Sequence, residues 1–189
     1  MANFLVVVDM QNDFITGCLG NDETKRIVPA VCDLINDFKK ANNFEDEDAC
    51  HGRIFYTMDT HKDNYLSTKE GEKLPIKHCI YGTDGWRLNK EVKEAMGRDG
   101  IMVVKETFGA KALPYFIEQL IGEPGSDFDG TITLCGVCTD ICVISNAMLL
   151  KAYFPNAEIK VKANCCAGAS IESHNRALEA MKVCHIDIE

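Results

Sequence analysis

The chain has no block of lysine or arginine, no internal repeat and no low-complexity tract. No apolar run approaches the ~20 residues needed to span a bilayer. Lys and Arg total 20 against 29 Asp and Glu, a net charge of −9, so neither nucleic acid nor a membrane is expected as a partner. Residues Met1 to Val8 are too short and too uncharged for a secretory leader, and a cytoplasmic location is expected. No linker composition interrupts the 189 residues. The chain 1–189 therefore reads as one domain, and 46% apolar residues supply a substantial core.

Cysteine is plentiful, at 10 residues. A small secreted chain with this count would suggest a disulfide framework. This chain is larger, and Cys32, Cys135 and Cys142 lie in core-like apolar patterns. Reduced thiols are the expectation.

Phe4-Leu5-Val6-Val7-Val8 is continuously apolar, as a strand buried on both faces should be. Arg53 to Met58, Ile101 to Val104, Thr131 to Cys135 and Ala157 to Val161 read as further strands. Helical patterns lie between and after them: Ile27 to Phe38, Asn89 to Met96, Leu113 to Ile121, Thr139 to Ala152, and Glu172 to Met181. Strands alternating with helices predict a three-layer α/β/α sandwich around a mainly parallel sheet. The polar stretch Thr60 to Arg87 is too long for a plain connector, which marks it as functional.

In such sheets reactive groups gather at the carboxyl ends of strands. Asp9, Asp59 and Lys105 each follow a strand directly. The segment Gly136-Val137-Cys138-Thr139-Asp140-Ile141-Cys142-Val143 runs from a strand into a helix. Free N–H groups at a helix start favour thiolate over thiol and could also hold an oxyanion. Cys142 is therefore a candidate nucleophile, expected to be anionic. Asp140 is expected to cap the helix or brace this turn.

Four segments, in order, carry a resemblance: Asp9-Met10-Gln11-Asn12-Asp13-Phe14, Asp59-Thr60-His61, His78-Cys79-Ile80-Tyr81-Gly82-Thr83 with Lys105, and Gly136 to Val143. Together they resemble the isochorismatase-like cysteine hydrolase superfamily, and within it the metal-bearing nicotinamidase/pyrazinamidase branch. The resemblance implies a catalytic triad of Asp9, Lys105 and Cys142. It implies an oxyanion hole from the backbone N–H groups of Cys138 and Cys142, with a cis peptide at Val137–Cys138. A buried lysine favours thiolate, and a nearby carboxylate can take the thiol proton and return it to departing ammonia. The expected substrate is a small-molecule amide, nicotinamide foremost, and the expected assembly is a homo-oligomer.

Asp59-x-His61 sets a carboxylate and an imidazole on one side of an extended segment. With His78 they are metal-ligand types suited to zinc, with iron or manganese as alternatives. Glu70 is the candidate fourth ligand, because some relatives carry a similar glutamate. Phe14 and Trp86 are the candidate aromatic walls of a substrate pocket. Gln11 and Asp13 are expected to brace the loop after the first strand.

Three other readings compete. Cys135-x-x-Cys138 has the spacing of a zinc or redox pair. Relatives that lack the nucleophile act as binding proteins, but all three triad residues are present here. Isochorismate, N-carbamoylsarcosine and ureidoacrylate hydrolases share the superfamily and differ in the pocket.

Overall fold

The computed structural model describes residues 2–44 and 52–189. Its centre is a six-stranded sheet in the order β3-β2-β1-β4-β5-β6. The strands are β1 (Asn3–Val8), β2 (Gly52–Asp59), β3 (Gly100–Lys105), β4 (Thr131–Val137), β5 (Glu158–Ala167) and β6 (Asp187–Ile188). Every pairing is parallel. β1 is interior, and Leu5, Val6, Val7 and Val8 are fully buried. This accounts for an apolar run without alternation.

The helices are α1 (Asn12–Ile15), α2 (Asp22–Arg26), α3 (Val28–Ala41), α4 (Lys69–Lys73), α5 (Lys90–Met96), α6 (Leu113–Ile121), α7 (Ile144–Tyr153) and α8 (Ile171–Val183). Right-handed crossovers assign them to faces. The chain steps outward from β1 through α3 to β2 and through α5 to β3, so α3 and α5 share one face, where they pack together. It then recrosses the sheet, and α6, α7 and α8 cover the other face, with α7 touching both neighbours. The result is the expected three-layer sandwich. α3 turns Val28, Val31 and Ile35 inward. α5 opens on Asn89, whose Oδ1 accepts from the Glu91 and Val92 N–H groups. α8 opens on a reciprocal capping box between Ser170 and Ser173. A cap of this kind is worth about 1 kcal/mol.

The structure departs from the sequence pattern in four places. β5 runs on to Ala167, past Lys162 and Asn164, which break its apolar pattern. Its pairing with β4 shifts between Leu134 and Gly136. β6 has two residues, too few to show a period. The segment Thr139–Val143 is a π turn, with Val143 N–H donating to the Cys138 carbonyl at 3.0 Å, and α7 proper begins at Ile144. The stretch Thr60–Arg87 contains a short 3₁₀ turn, Tyr65–Ser67, as well as α4.

Register brings the strand ends together. Val8 pairs with Thr57 on one side and Gly136 on the other, and Asp59 pairs with Lys105. Asp9, Asp59, Lys105 and the turn after Val137 thus emerge at one carboxyl edge, beside the β1/β4 switch in strand order. Gly136 has φ 115°. A Cβ there would overlap the Val8 carbonyl oxygen, so only glycine lets β4 approach β1 this closely.

Candidate active site

At that edge one ammonium joins three groups. Lys105 Nζ lies 2.7 Å from Asp9 Oδ2, 3.2 Å from Asp59 Oδ1 and 3.5 Å from Cys142 Sγ. All four side chains are buried. Burial alone would discharge Lys105, but Asp9 foremost, with Asp59, outweighs it and holds the ammonium charged well above its usual range.

Asp9 sits in the left-handed region at φ 49°, an uncommon place for a non-glycine residue. Its backbone N–H donates to Thr57 Oγ1 at 3.2 Å, and the Thr57 hydroxyl donates to Asp9 Oδ1 at 2.7 Å. Asp9 Oδ2 pairs with the Lys105 ammonium. Burial, offset in part by Lys105 and reinforced by Asp59, raises the carboxyl above its ordinary value.

The thiol departs from the sequence expectation. Burial pushes Cys142 well up, Asp9 adds to this, and Lys105 opposes it without prevailing. Burial is the largest of these influences, so the surroundings favour the neutral thiol over the thiolate. Cys138 is likewise pushed up, to about 12, by burial and Asp140. The Val137–Cys138 peptide is cis. Asp140 does not cap α7; its Oδ1 accepts from Ala169 N–H at 3.1 Å, tying the turn to the loop before α8.

The second cluster adjoins the first. Ligand-type atoms of Asp59, His61 and His78, all buried, lie within 4.8 Å of one another. Asp59 Oδ2 is 2.9 Å from His61 Nε2 and 3.5 Å from His78 Nε2. His78 Nδ1 faces the Ile76 carbonyl at 2.8 Å. A carbonyl only accepts, so Nδ1 carries the proton and Nε2 turns its lone pair to the cluster. His61 Nε2 is buried with no aligned hydrogen-bond partner. Two imidazoles and a carboxylate around an unsatisfied nitrogen are a fitting donor set for a divalent cation. Glu70 Oε1 reaches the rim, 3.7 Å from His61 Nε2 and 3.9 Å from His78 Nε2. Burial opposes ionisation of Asp59, but the adjacent His61 and His78 rings and the charge of Lys105 hold it well below the carboxylate range.

The support around these groups is extensive. Gln11 Nε2 donates to the carbonyls of Asp59 (2.9 Å) and Trp86 (2.8 Å), and its Oε1 accepts from Asp59 N–H (2.7 Å). Asp13 Oδ2 accepts from Cys79 N–H at 2.7 Å, next to His78. His61 and Ile80 form a bridge that closes the long loop on itself.

Beside the clusters lies a cavity of about 380 Å³, whose lining includes Phe14, Leu19, Leu74, Phe108 and Ile141 together with Cys142, Cys138, Asp59, Glu70 and His78. Phe14 lies 5.6 Å from the His78 ring, centre to centre. Trp86 is not a wall of this cavity. Its Nε1 donates to Thr60 Oγ1 at 2.8 Å, and its ring packs on Tyr81 beside a different depression. Gln11 holds the Trp86 carbonyl and turns that loop away; Leu74 and Phe108 occupy the wall instead.

Thr57, Tyr65, Leu74, Phe108 and Asn146 are site residues that sequence reasoning missed. Tyr65 packs against both imidazoles, at 4.6 Å and 4.9 Å between ring centres. Asn146 Nδ2 donates to the Cys142 carbonyl (2.8 Å) and the Phe108 carbonyl (3.2 Å), and its Oδ1 accepts from Ala110 N–H (2.9 Å). Two of the five left a signal: Thr57 is a polar residue inside an apolar strand, and Asn146 stands one helical turn after Cys142. The nine described cysteines are unbridged; Cys50 falls outside the described residues. Among the described residues the Cys135–Cys138 pair belongs to no metal-capable cluster.

A family model for the isochorismatase domain matches residues 3–188. The pyrazinamidase of Pyrococcus horikoshii, solved in complex with zinc, is 26% identical; the match covers 100% of this chain and 99% of that one, with TM-score 0.80. The pyrazinamidase/nicotinamidase of Streptococcus mutans is 23% identical, with both chains covered fully and TM-score 0.79. The N-carbamoylsarcosine amidase of Thermoplasma acidophilum is 21% identical over 100% of this chain and 96% of that one, with TM-score 0.73. The last two show likeness of fold alone. No curated protein matches the chain.

Proposed function

Because the chain belongs to the isochorismatase family, we propose that it hydrolyses a small heteroaromatic amide, nicotinamide foremost, to the carboxylic acid and ammonia. The observation that carries this reading is the shared position of Lys105, within 3.5 Å of the candidate nucleophile and 2.7 Å of the candidate base, behind a cavity that Cys142 lines together with Asp59 and His78 of an Asp-His-His cluster.

In this reading Asp9 takes the proton from the Cys142 thiol as sulfur attacks the amide carbonyl. Its raised basicity suits the task, since a carboxylate above its ordinary value is a stronger base for the thiol proton. The backbone N–H groups of Cys138 and Cys142 face the developing oxyanion. Asp9 then gives its proton to the departing amine, ammonia leaves, and a thioester remains on Cys142. Asp9 next deprotonates a water that attacks the thioester, the acid is released and the thiol re-forms. Lys105 keeps Asp9 and sulfur in one electrostatic unit throughout. Asp59, His61 and His78, with Glu70 at the rim, would hold a divalent ion, zinc first and iron or manganese next, as a Lewis-acid seat for a ring nitrogen. Phe14, Leu74 and Phe108 flank a flat ring.

The N-carbamoylsarcosine and ureidoacrylate type is the second reading. Those substrates carry a carboxylate, and among the described residues no Arg or Lys lines the cavity. An unpaired carboxylate against apolar walls is costly to bury, so an uncharged ring fits better. The test is ammonia release from nicotinamide by metal-loaded protein, beside acetamide and N-carbamoylsarcosine. Nicotinamide should lead by orders of magnitude. Equal rates on aliphatic amides would overturn the substrate while leaving the hydrolase; no release from any of them would overturn both.

A further inference from the structure

We propose that Thr57 is a positioning residue that divides the work of the Asp9 carboxylate, fixing Oδ1 so that Oδ2 alone serves the proton transfer with Cys142. This rests on the reading of Asp9 as the base.

The hydrogen-bond pattern leaves one solution. Asp9 N–H can only donate, so at 3.2 Å it gives its proton to Thr57 Oγ1. The hydroxyl's own single proton is then directed to Asp9 Oδ1, at 2.7 Å. The two bonds form a closed ring through one residue's backbone and side chain, which fixes the carboxylate's rotation. Thr57 and Asp9 are both fully buried, so no bulk water competes for either bond. Thr57 lies on β2, in register with Val8, and a β-branched side chain in a strand has little rotameric freedom. The clamp also holds Asp9 at its left-handed backbone angle of 49°.

The two oxygens of Asp9 consequently differ. Oδ1 is spent on Thr57. Oδ2 stands 2.7 Å from Lys105 Nζ, which engages one of its two lone pairs. It keeps a lone pair for the thiol proton. Without the hydroxyl, Oδ1 loses the Thr57 donor, and the carboxylate is free to turn both oxygens onto Lys105. It would then be a better ion-pair partner and a poorer base.

The test compares Thr57→Val, Thr57→Ala and Thr57→Ser in metal-loaded protein with two readouts. One is kcat and KM for nicotinamide. The other is the rate of iodoacetamide modification of Cys142, located by peptide mass mapping, which needs no knowledge of the substrate. The Val and Ala variants should lose on the order of tenfold to a hundredfold in kcat, part of the roughly 10²–10⁴ that a positioned acid–base group contributes. KM should stay within about twofold, as for an interaction that acts only in the transition state. Cys142 alkylation should slow in parallel, and Ser should restore both rates. If Thr57→Val does not fold, the Ala/Ser pair decides: a packing role makes Ser as poor as Ala, whereas the hydroxyl role separates them. Alkylation at the parent rate in Ala or Val, or Ser no better than Ala, overturns the proposal. Failure on nicotinamide with alkylation behaving as described overturns the substrate alone.

Discussion

Asp59 Oδ1 lies 3.2 Å from Lys105 Nζ, while its other oxygen lies 2.9 Å from His61 Nε2. One carboxylate thereby joins the candidate metal cluster to the candidate triad. Charge removed from Asp59 is lost to both sides. Asp59→Asn should lower metal affinity by at least the roughly 10–100-fold expected for lost support around a metal site, and should also change the rate of Cys142 alkylation. His61→Ala should lower metal affinity and leave alkylation nearly unchanged. Metal content by mass spectrometry, paired with thiol labelling, separates the two; identical behaviour would mean the clusters are not coupled.

The two thiols that line the cavity should differ sharply. Cys142→Ala is expected to abolish covalent intermediate trapped on acid quench and to lower kcat by about 10³-fold or more, as for loss of a nucleophile. Cys138→Ala keeps the backbone N–H and should retain activity within roughly tenfold, since only its amide is aimed at the oxyanion. Equal loss in both would assign the nucleophile wrongly.

The pH profile follows from Asp9. Its carboxyl is raised by burial, in spite of Lys105, and only the ionised form can take the thiol proton. As pH falls through that raised value the base is protonated and the rate drops. The acid limb of kcat/KM for nicotinamide should therefore have its midpoint above the ordinary aspartate value of 3.8. A midpoint at or below that value would remove Asp9 as the base. Asp9→Asn should be inactive across the range.

Asn146 has every polar atom of its side chain engaged, joining the nucleophile turn to the Phe108 loop. Asn146→Leu leaves two carbonyls and one N–H buried without this partner, at about 1–3 kcal/mol for each that finds no other. Urea denaturation should show that loss, and KM should rise more than kcat falls because the Phe108 wall is no longer held. Unchanged stability would mean water replaces the amide.

Chelation should act mainly on affinity. Removing metal from Asp59, His61 and His78 is expected to raise KM for pyridine amides at least about tenfold. Stability should fall by no more than the ~3 kcal/mol that binding at a hundred times Kd supplies. Kinetic assays and thermal melts after dialysis against a chelator check both.

The sheet and the reactive residues were legible for one reason. A parallel strand buried on both faces is an unbroken apolar run, and the polar residue that ends it marks the edge where sites form. Asp9, Asp59 and Lys105 are such residues. Register then brought them together, which no local pattern encodes. Trp86 misled because sequence distance from His78 says nothing of the direction in which a loop turns. The surroundings of the Cys142 sulfur were hidden for a different reason: a lysine nearby was visible, but not that the sulfur is buried or that two carboxylates share the lysine. β6 and the end of β5 were hidden by brevity and by polar residues at a bulge.

Gly136 carries one more implication. Where β1 and β4 touch, main chain lies against main chain, so the span between base and sulfur is set by the scaffold and not by any exchangeable side chain. Variation in what the cavity admits can therefore arise on lining side chains such as Phe14, Leu74 and Phe108, which can be resized while the strand contact stays in place. Gly136 itself tolerates no such change: even one added methyl group would wedge the two strands apart.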